Sequence, residues 1–254
     1  MSDIKTAAVL LIGDELLSGR TRDINLKNIA EFLAPLGIQV REARIVPDIQ
    51  EKIVEALNAL RAEYSYVFTT GGIGPTHDDI TADAVAAAFG DHIDVRQDAL
   101  AIIQKRYEET GVELTPARLR MARIPDSAKL VANPVSGAPG FQIDNVFVMA
   151  GVPSIARAML EDIEPRLETG QVIKTAHVRG VGLREGDLAG ALADIAEKHA
   201  TLSIGSYPWY GSPTDSGVNI VVRGADEEEI QTAIVDVSAL VRAQGVEPEV
   251  HDIS

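Results

Sequence analysis

The sequence predicts a doubly wound, mostly parallel α/β sheet followed by a second, smaller α+β domain. Three observations point there. Between Thr6 and Leu167, short β-prone apolar runs alternate with segments of helical spacing, the order of βαβ units. Glycine-rich turns follow two of those runs, Gly13 after the first and Gly71-Gly72 after Tyr66-Val67-Phe68. Beyond Thr169-Gly170 the order changes to strand, helix, strand, strand, helix, which suits an open-faced sandwich. The expected division is therefore 1–169 and 170–254.

Taken in order, Thr6 to Ile12 is a continuous apolar run that reads as a buried central strand. Gly13 breaks it, and Asp14 and Glu15 follow at the carboxyl end, where ligands bind in open α/β sheets. Asp23 is placed to N-cap a helix that carries Leu26, Ile29, Ala30 and Leu33 on one face, with Gly37 as its stop. Ile38 to Val46 is the second strand. Asp48 and Glu51 have capping-box spacing ahead of a helix that turns Ile49, Ile53, Leu57 and Leu60 inward. Capping alone accounts for Asp48.

The most informative stretch is Tyr66 to Phe89, a strand, a glycine loop and a helix. Gly71, Gly72 and Gly74 allow positive φ or a close approach of backbone to ligand. Pro75 fixes φ ahead of Thr76, and Thr76 and Asp79 have the spacing of a capping box with Asp in the Glu position. Ile80, Ala84, Val85, Ala88 and Phe89 recur at helical spacing, and Gly90 is the stop. Such a loop delivers backbone N–H groups and a helix N-terminus to one spot, which suits a phosphate. Asp78 and Asp79, expected in the first helical turn, repel a bare phosphate unless a divalent cation lies between. They also fit a plain preference for the positive end of the helix dipole.

Farther on, a helix is expected over Val95 to Thr110, then a Thr115-Pro116 helix start leading through Arg118, Arg120 and Arg123. Those three charges read as a solvated face. Asn133 to Phe141 is turn-rich, Val146 to Ala150 is a strand, and Pro153 opens a helix with Ile155, Met159 and Ile163 inward. The second domain is read as strand Val172–Val178, helix Glu185–His199, strands Leu202–Tyr207 and Val218–Arg223, and helix Glu227–Gln244. Tyr207, Pro208, Trp209 and Tyr210 fall in the loop between its adjacent strands. They suit a core cap or a subunit contact better than a base-stacking platform.

Composition limits the function classes. The chain has 254 residues and 46% hydrophobic content, enough to bury real cores. It has no cysteine, hence no disulfide framework, thiolate metal site or cysteine nucleophile. The five histidines show no metal-ligand spacing. A net charge of −15 repels nucleic acid and anionic membrane, yet leaves room for a phosphorylated small molecule bound by local dipoles and a cation. Without a signal-peptide pattern or a membrane-length apolar run, the expected compartment is the cytoplasm.

The run TGGIGPTHDDIT (Thr70 to Thr81) resembles the signature of the MoaB/Mog molybdopterin-binding domain. The opening GDELLSG (Gly13 to Gly19), with Asp23 and Asn25, is similar to its CinA branch, competence/damage-inducible protein A. Two places differ from that branch. Where it reads close to NPVGTAPGF this chain has Ser136-Gly137, and where it has the glutamate of PGVPxEM this chain has Ile155. The resemblance implies a site built from Gly13, Asp14, Gly71, Gly72, Gly74, Pro75 and Thr76 around a phosphate or pterin. It implies a divalent cation such as Mg²⁺ at Asp78 and Asp79, and chemistry by Asp48, Asp79 and Glu15. An acidic residue at the place of Asp48 lines the site in that superfamily. The implied activity is metal-dependent pyrophosphatase action on ADP-ribose- or FAD-like dinucleotides. The alternatives are a molybdopterin-binding protein of molybdenum-cofactor biosynthesis, with adenylyl transfer or binding only. Homo-oligomers are implied. The last ~85 residues match only the small second domain, so the amidohydrolase activity of longer CinA chains is not expected.

Overall fold

A computed structural model describes residues 4–211, 216–251 and 253. The chain divides into two compact units, Met1–Gln171 and Val172–Ser254.

The first unit begins with β1 (Lys5–Ile12), the short α1 (Asp14–Leu17) and α2 (Asn25–Leu33), which ends through a 3₁₀ turn at Gly37. Then come β2 (Ile38–Val46), α3 (Gln50–Glu63), β3 (Tyr66–Thr70) and α4 (Thr81–Phe89). Next are β4 (Ile93–Val95), α5 (Gln97–Thr110), α6 (Pro116–Leu119) and β5 (Arg123–Pro125). The unit closes with β6 (Lys129–Val131), β7 (Gly140–Ile143), β8 (Val146–Met149) and α7 (Pro153–Ile163).

Its main sheet has the order β2-β1-β3-β8-β7-β6. The first four strands run parallel, with Ile12 beside Val46, Leu11 beside Thr70, and Thr70 beside Met149. β7 and β6 continue it antiparallel, and β4 pairs β5 antiparallel in a separate ribbon. β1 shows why the sheet is doubly wound. Ala8, Leu10 and Ile12 enter a core with Ile53, Leu57 and Leu60 of α3 and with Ala84 and Val85 of α4. Ala7, Val9 and Leu11 enter a second core with Ile29 and Leu33 of α2 and Met159 and Ile163 of α7. A strand buried on both faces must be apolar at every position, which the continuous run satisfies.

Several expectations need correction. The helix expected through Arg123 stops as an α-helix at Leu119, passes through a 3₁₀ turn (Arg120–Ala122), and hands Arg123 to β5. Ile49 precedes α3 and is 49% exposed, so only Ile53, Leu57 and Leu60 of the expected face are buried. α4 begins at Thr81, which leaves Asp78 and Asp79 in the turn before it.

The second unit contains β9 (Lys174–Val181), α8 (Glu185–Lys198), β10 (Ser203–Tyr210), β11 (Ser216–Gly224), α9 (Glu227–Ala243) and β12 (Glu249–His251). The strands form an antiparallel sheet in the order β10-β11-β9-β12. Its core joins Val178, Val218, Ile220 and Val222 to Leu188 of α8 and to Ile230, Val237 and Val241 of α9. Tyr207 to Tyr210 belong to β10 rather than to a loop; the connection at 212–215 lies outside the described residues. Trp209 pairs across the ladder with Gly217, and the Arg179 guanidinium lies 4.4 Å from its ring centre. Its aromatic surface is thus used by a cation, outside the apolar core. No described helix is long and apolar enough to cross a membrane.

Candidate active site

In the first unit the chain leaves β1 toward β2 on one side, and β3 lies on the other, so strand order reverses between β1 and β3. The carboxyl ends at such a reversal open a crevice. Gly13-Asp14 emerges there from β1, Pro47-Asp48 from β2, and Gly71-Gly72 from β3.

The approach of these exits requires glycine at two points. Gly71 has φ 105°, and a Cβ on it would lie 2.1 Å from the Ile12 carbonyl oxygen. Gly72 has φ 67°, and its Cβ would lie 2.2 Å from Thr81 Oγ1. Both values lie far inside contact distance, so a side chain at Gly71 forces backbones apart and one at Gly72 displaces the Thr81 side chain. Thr81 N–H donates to the Gly72 carbonyl at 3.0 Å and ties the loop to the first turn of α4. Gly71 N–H donates to Met149 O at 3.3 Å. The N–H groups of Gly72, Ile73 and Gly74, by contrast, donate to no acceptor among the described residues. Consecutive uncommitted donors at a sheet edge form an anion-binding concavity.

Pro75 leads into a closed turn. Thr76 N–H donates to Asp79 Oδ2 at 2.8 Å, the Thr76 hydroxyl donates to the same oxygen, and Asp79 N–H donates back to Thr76 O at 3.3 Å. The contact expected of a capping box is present, but it closes a turn of its own ahead of the helix. Asp79 is half-buried, with its carboxylate against Gly74. Asp78 is exposed.

Asp48 does not cap α3. Its Oδ2 accepts the Asp14 N–H at 3.0 Å, and α3 starts without a side-chain cap. The reason is tertiary: the N–H just past β1 needs an acceptor at the same edge, and β2 delivers a carboxylate there. Burial pushes the Asp48 carboxyl above its ordinary value, and the charges of Glu15, Asp14 and Asp78 push it the same way against the Asp14 hydrogen bond. Asp14, Glu15 and Asp78 thus lie within electrostatic reach of Asp48. Asp79 faces the glycine loop instead, so the two adjacent aspartates are not placed as a pair.

A divalent cation can be tested against this donor set. Among the described residues no three His, Cys, Asp or Glu side chains form a ready metal cage. Mg²⁺ does not need one, since it commonly takes one or two carboxylates and completes its shell with water and substrate phosphate oxygens. Crowded carboxylates that raise the Asp48 pKa are the environment such an ion relieves. The acidic side chains around Asp48 suit a hydrated Mg²⁺ but form no cage for it among the described residues.

Two features were missed from sequence. Asn25 is 6% exposed; its Nδ2 donates to Gly151 O at 2.8 Å and lies 3.5 Å from Thr70 Oγ1, so it ties α2 to the exits of β3 and β8. Only the family motif singled it out. Asp23 does cap α2, accepting from Asn25 N–H at 3.0 Å and Leu26 N–H at 3.1 Å. The arginines of 118–123 are not one solvated face. Arg123 binds both oxygens of Asp83, at 2.9 and 2.6 Å, and Arg120 Nη2 donates to Asp79 O at 3.3 Å. Ile155, in the place of the family glutamate, packs against the second core.

Residues 8–169 match the family described as probable molybdopterin binding domain. The chain belongs to that family. Residues 178–250 match a second one, the middle domain of FAD synthase. A protein of Caldivirga maquilingensis is 32% identical over 254 residues, which cover 96% of this chain and 98% of its own. A putative competence-damage inducible protein of Clostridium botulinum is 29% identical over 243 residues, 93% of this chain but 59% of its own length. Among solved structures, the protein CinA of Thermoplasma acidophilum, described as of unknown function, is 36% identical with a TM-score of 0.59. That likeness covers 64% of this chain and 97% of the other. The chain is accordingly a CinA-like member of the molybdopterin-binding-domain family, with a FAD-synthase-type second domain.

Proposed function

We propose that the chain is a metal-dependent hydrolase of nucleotide diphosphates such as ADP-ribose or FAD. The observation that carries this reading is the juxtaposition of opposite chemistries at one sheet edge. Three uncommitted N–H groups, on Gly72, Ile73 and Gly74, suit a phosphate, and the Asp48 carboxylate beside its acidic neighbours suits a cation and a water.

The glycine loop binds one phosphate of the diphosphate through its N–H groups, at the end where the α4 dipole also favours anions. Mg²⁺ held by Asp48 and Asp78 would supply neutralisation of charge on the phosphate oxygens. Asp48 orients a water and accepts its proton; Glu15 is the second candidate for that role. The water oxygen forms a bond to phosphorus and the bridging P–O bond breaks, so ADP-ribose gives AMP and ribose 5-phosphate. Asp79 holds the turn that presents Gly74 and Thr76 to the phosphate.

The competing reading is molybdopterin binding, which the family's description favours. The same loop then holds the terminal phosphate of the pterin. A panel of ADP-ribose, FAD and other dinucleotides, with Mg²⁺ and with EDTA, separates the two. Metal-dependent release of AMP supports hydrolysis. No turnover by folded, metal-supplied protein, together with tight molybdopterin binding, establishes the alternative.

A further inference from the structure

Behind the glycine loop lies a shallow pocket lined by Gly72, Ile73, Gly74, Asp79, Arg120 and Phe141, with the Asp83–Arg123 pair at its wall. The two arginines differ in what satisfies them. Arg123 is neutralised by its two hydrogen bonds to Asp83. Arg120 makes one long hydrogen bond, to the Asp79 carbonyl, and no ion pair among the described residues. Its Nε is buried and has no partner. A half-buried guanidinium left without an anion is costly. It is also unexpected in a chain of net charge −15, where a carboxylate is rarely far away.

Of the carboxylates that line the pocket, one is neutralised by an arginine and the other holds only neutral donors. Asp83 is bound by Arg123, and Asp79 accepts from both the N–H and the hydroxyl of Thr76. Next to them stand the uncommitted N–H groups of Gly72, Ile73 and Gly74. Planar guanidinium donors together with a backbone nest match a tetrahedral or planar oxyanion, a phosphate among them.

We propose that Arg120 and the glycine loop together form a phosphate-gripping subsite, with Arg120 as a direct ligand contact that neutralises one phosphate oxygen. The proposal deepens the reading above by naming a residue of its phosphate end, and it holds for any ligand that brings a phosphate, whether as an internal diphosphate or as a terminal monoester. It places the cationic side of the site behind the loop and the acidic side at β1 and β2.

The test is binding, so it does not depend on turnover. Calorimetric titration with pyrophosphate, ADP-ribose and AMP, each with Mg²⁺ and with EDTA, is compared for the parent chain, Arg120→Met, Arg120→Lys and Arg118→Met. Loss of a charge-assisted contact predicts about 10- to 100-fold weaker binding for Arg120→Met. Arg120→Lys keeps the charge without the planar fork and is expected to fall between that variant and the parent. Arg118, which donates to Glu113 O and lies over the Tyr107 ring, is the charge-matched control, and its variant should bind as the parent does. A loss confined to AMP assigns a terminal phosphate, and one confined to ADP-ribose assigns an internal diphosphate.

Parent protein that binds none of the three ligands, Arg120→Met that binds as the parent does, or an equal loss in Arg118→Met overturns the proposal. Should Arg120→Met not fold, a melting curve shows it, and Arg120→Lys binding as tightly as the parent then counts against the planar contact. Phosphate binding lost in Arg120→Met by protein that hydrolyses nothing leaves this subsite standing while the hydrolase reading falls.

Discussion

At the scale of single residues, Asp48, the proposed base, carries a stability cost. Its folded pKa lies above the unfolded value of about 4, because burial and three acidic neighbours disfavour the charged form. Protonation therefore favours the folded state. The stabilisation is full below about pH 4 and is lost as pH rises through the raised folded value. Asp48→Asn removes the charge and can still accept the Asp14 N–H. We predict a higher urea midpoint for Asp48→Asn than for the parent at pH 7, with the difference closing below about pH 4. Mg²⁺ should raise the parent's midpoint by binding the folded state, and should raise that of Asp48→Asn less. An equal Mg²⁺ effect on both proteins would remove Asp48 from the cation site.

Asn25 acts at the same scale through geometry. Asn25→Ala leaves the Gly151 carbonyl without its donor and frees the exits of β3 and β8 to separate. Loss of a part-buried hydrogen bond of this kind costs about 0.5–1.5 kcal/mol, and chemical denaturation would read it.

At the scale of the element, the strand–loop–helix unit from Tyr66 to Phe89 works because its glycines allow backbones to approach where side chains would stop them. Gly71→Ala places a carbon 2.1 Å from the Ile12 carbonyl oxygen at φ 105°. The β1–β3 edge has to open, at a cost of about 2–3 kcal/mol. Gly111, at the C-terminus of α5, has φ 68° but nothing within 4 Å of the position a Cβ would take. Gly111→Ala should cost only the left-handed backbone penalty of about 1–2 kcal/mol. Ligand binding should fall with Gly71→Ala and stay unchanged with Gly111→Ala. Equal stabilities and equal binding for the two variants would mean that the close approach of β1 and β3 is not what shapes the loop.

At the scale of the whole molecule, two units with separate cores share one chain, and the elements proposed for catalysis all come from the first. We expect a fragment ending at Gln171 to fold and keep whatever phosphate binding the full chain shows, and circular dichroism with titration would check it. How much of this was legible in the sequence depends on how local the cause was. β1, β3 and β8 lie within a residue or two of expectation, because strands buried on both faces need unbroken apolar runs; β2, an edge strand of mixed pattern, also runs from Ile38 to Val46 as read. Helix ends at Gly37 and Gly90 were legible because only glycine takes those positive φ values readily. β4, β5 and β6, three residues each, were not, since so short a strand has no period to detect. Of the acidic residues singled out from the sequence, Asp14, Glu15 and Asp78 act on Asp48, whereas Asp79 turns to Gly74. What sequence could not show was the choice of partner. Asp48 finds Asp14 across 34 positions instead of its own helix, and Arg120 finds Asp79 across 41. The first is decided by β1 and β2 lying side by side.

The decisive measurement is AMP release from ADP-ribose by the purified full chain, with Mg²⁺ and with EDTA, for the parent and Asp48→Asn. AMP is expected only with the metal, and kcat should fall by at least about 100-fold in Asp48→Asn, as for removal of a general base. No AMP from the folded parent, or release by Asp48→Asn at the parent's rate, would contradict the hydrolase assignment.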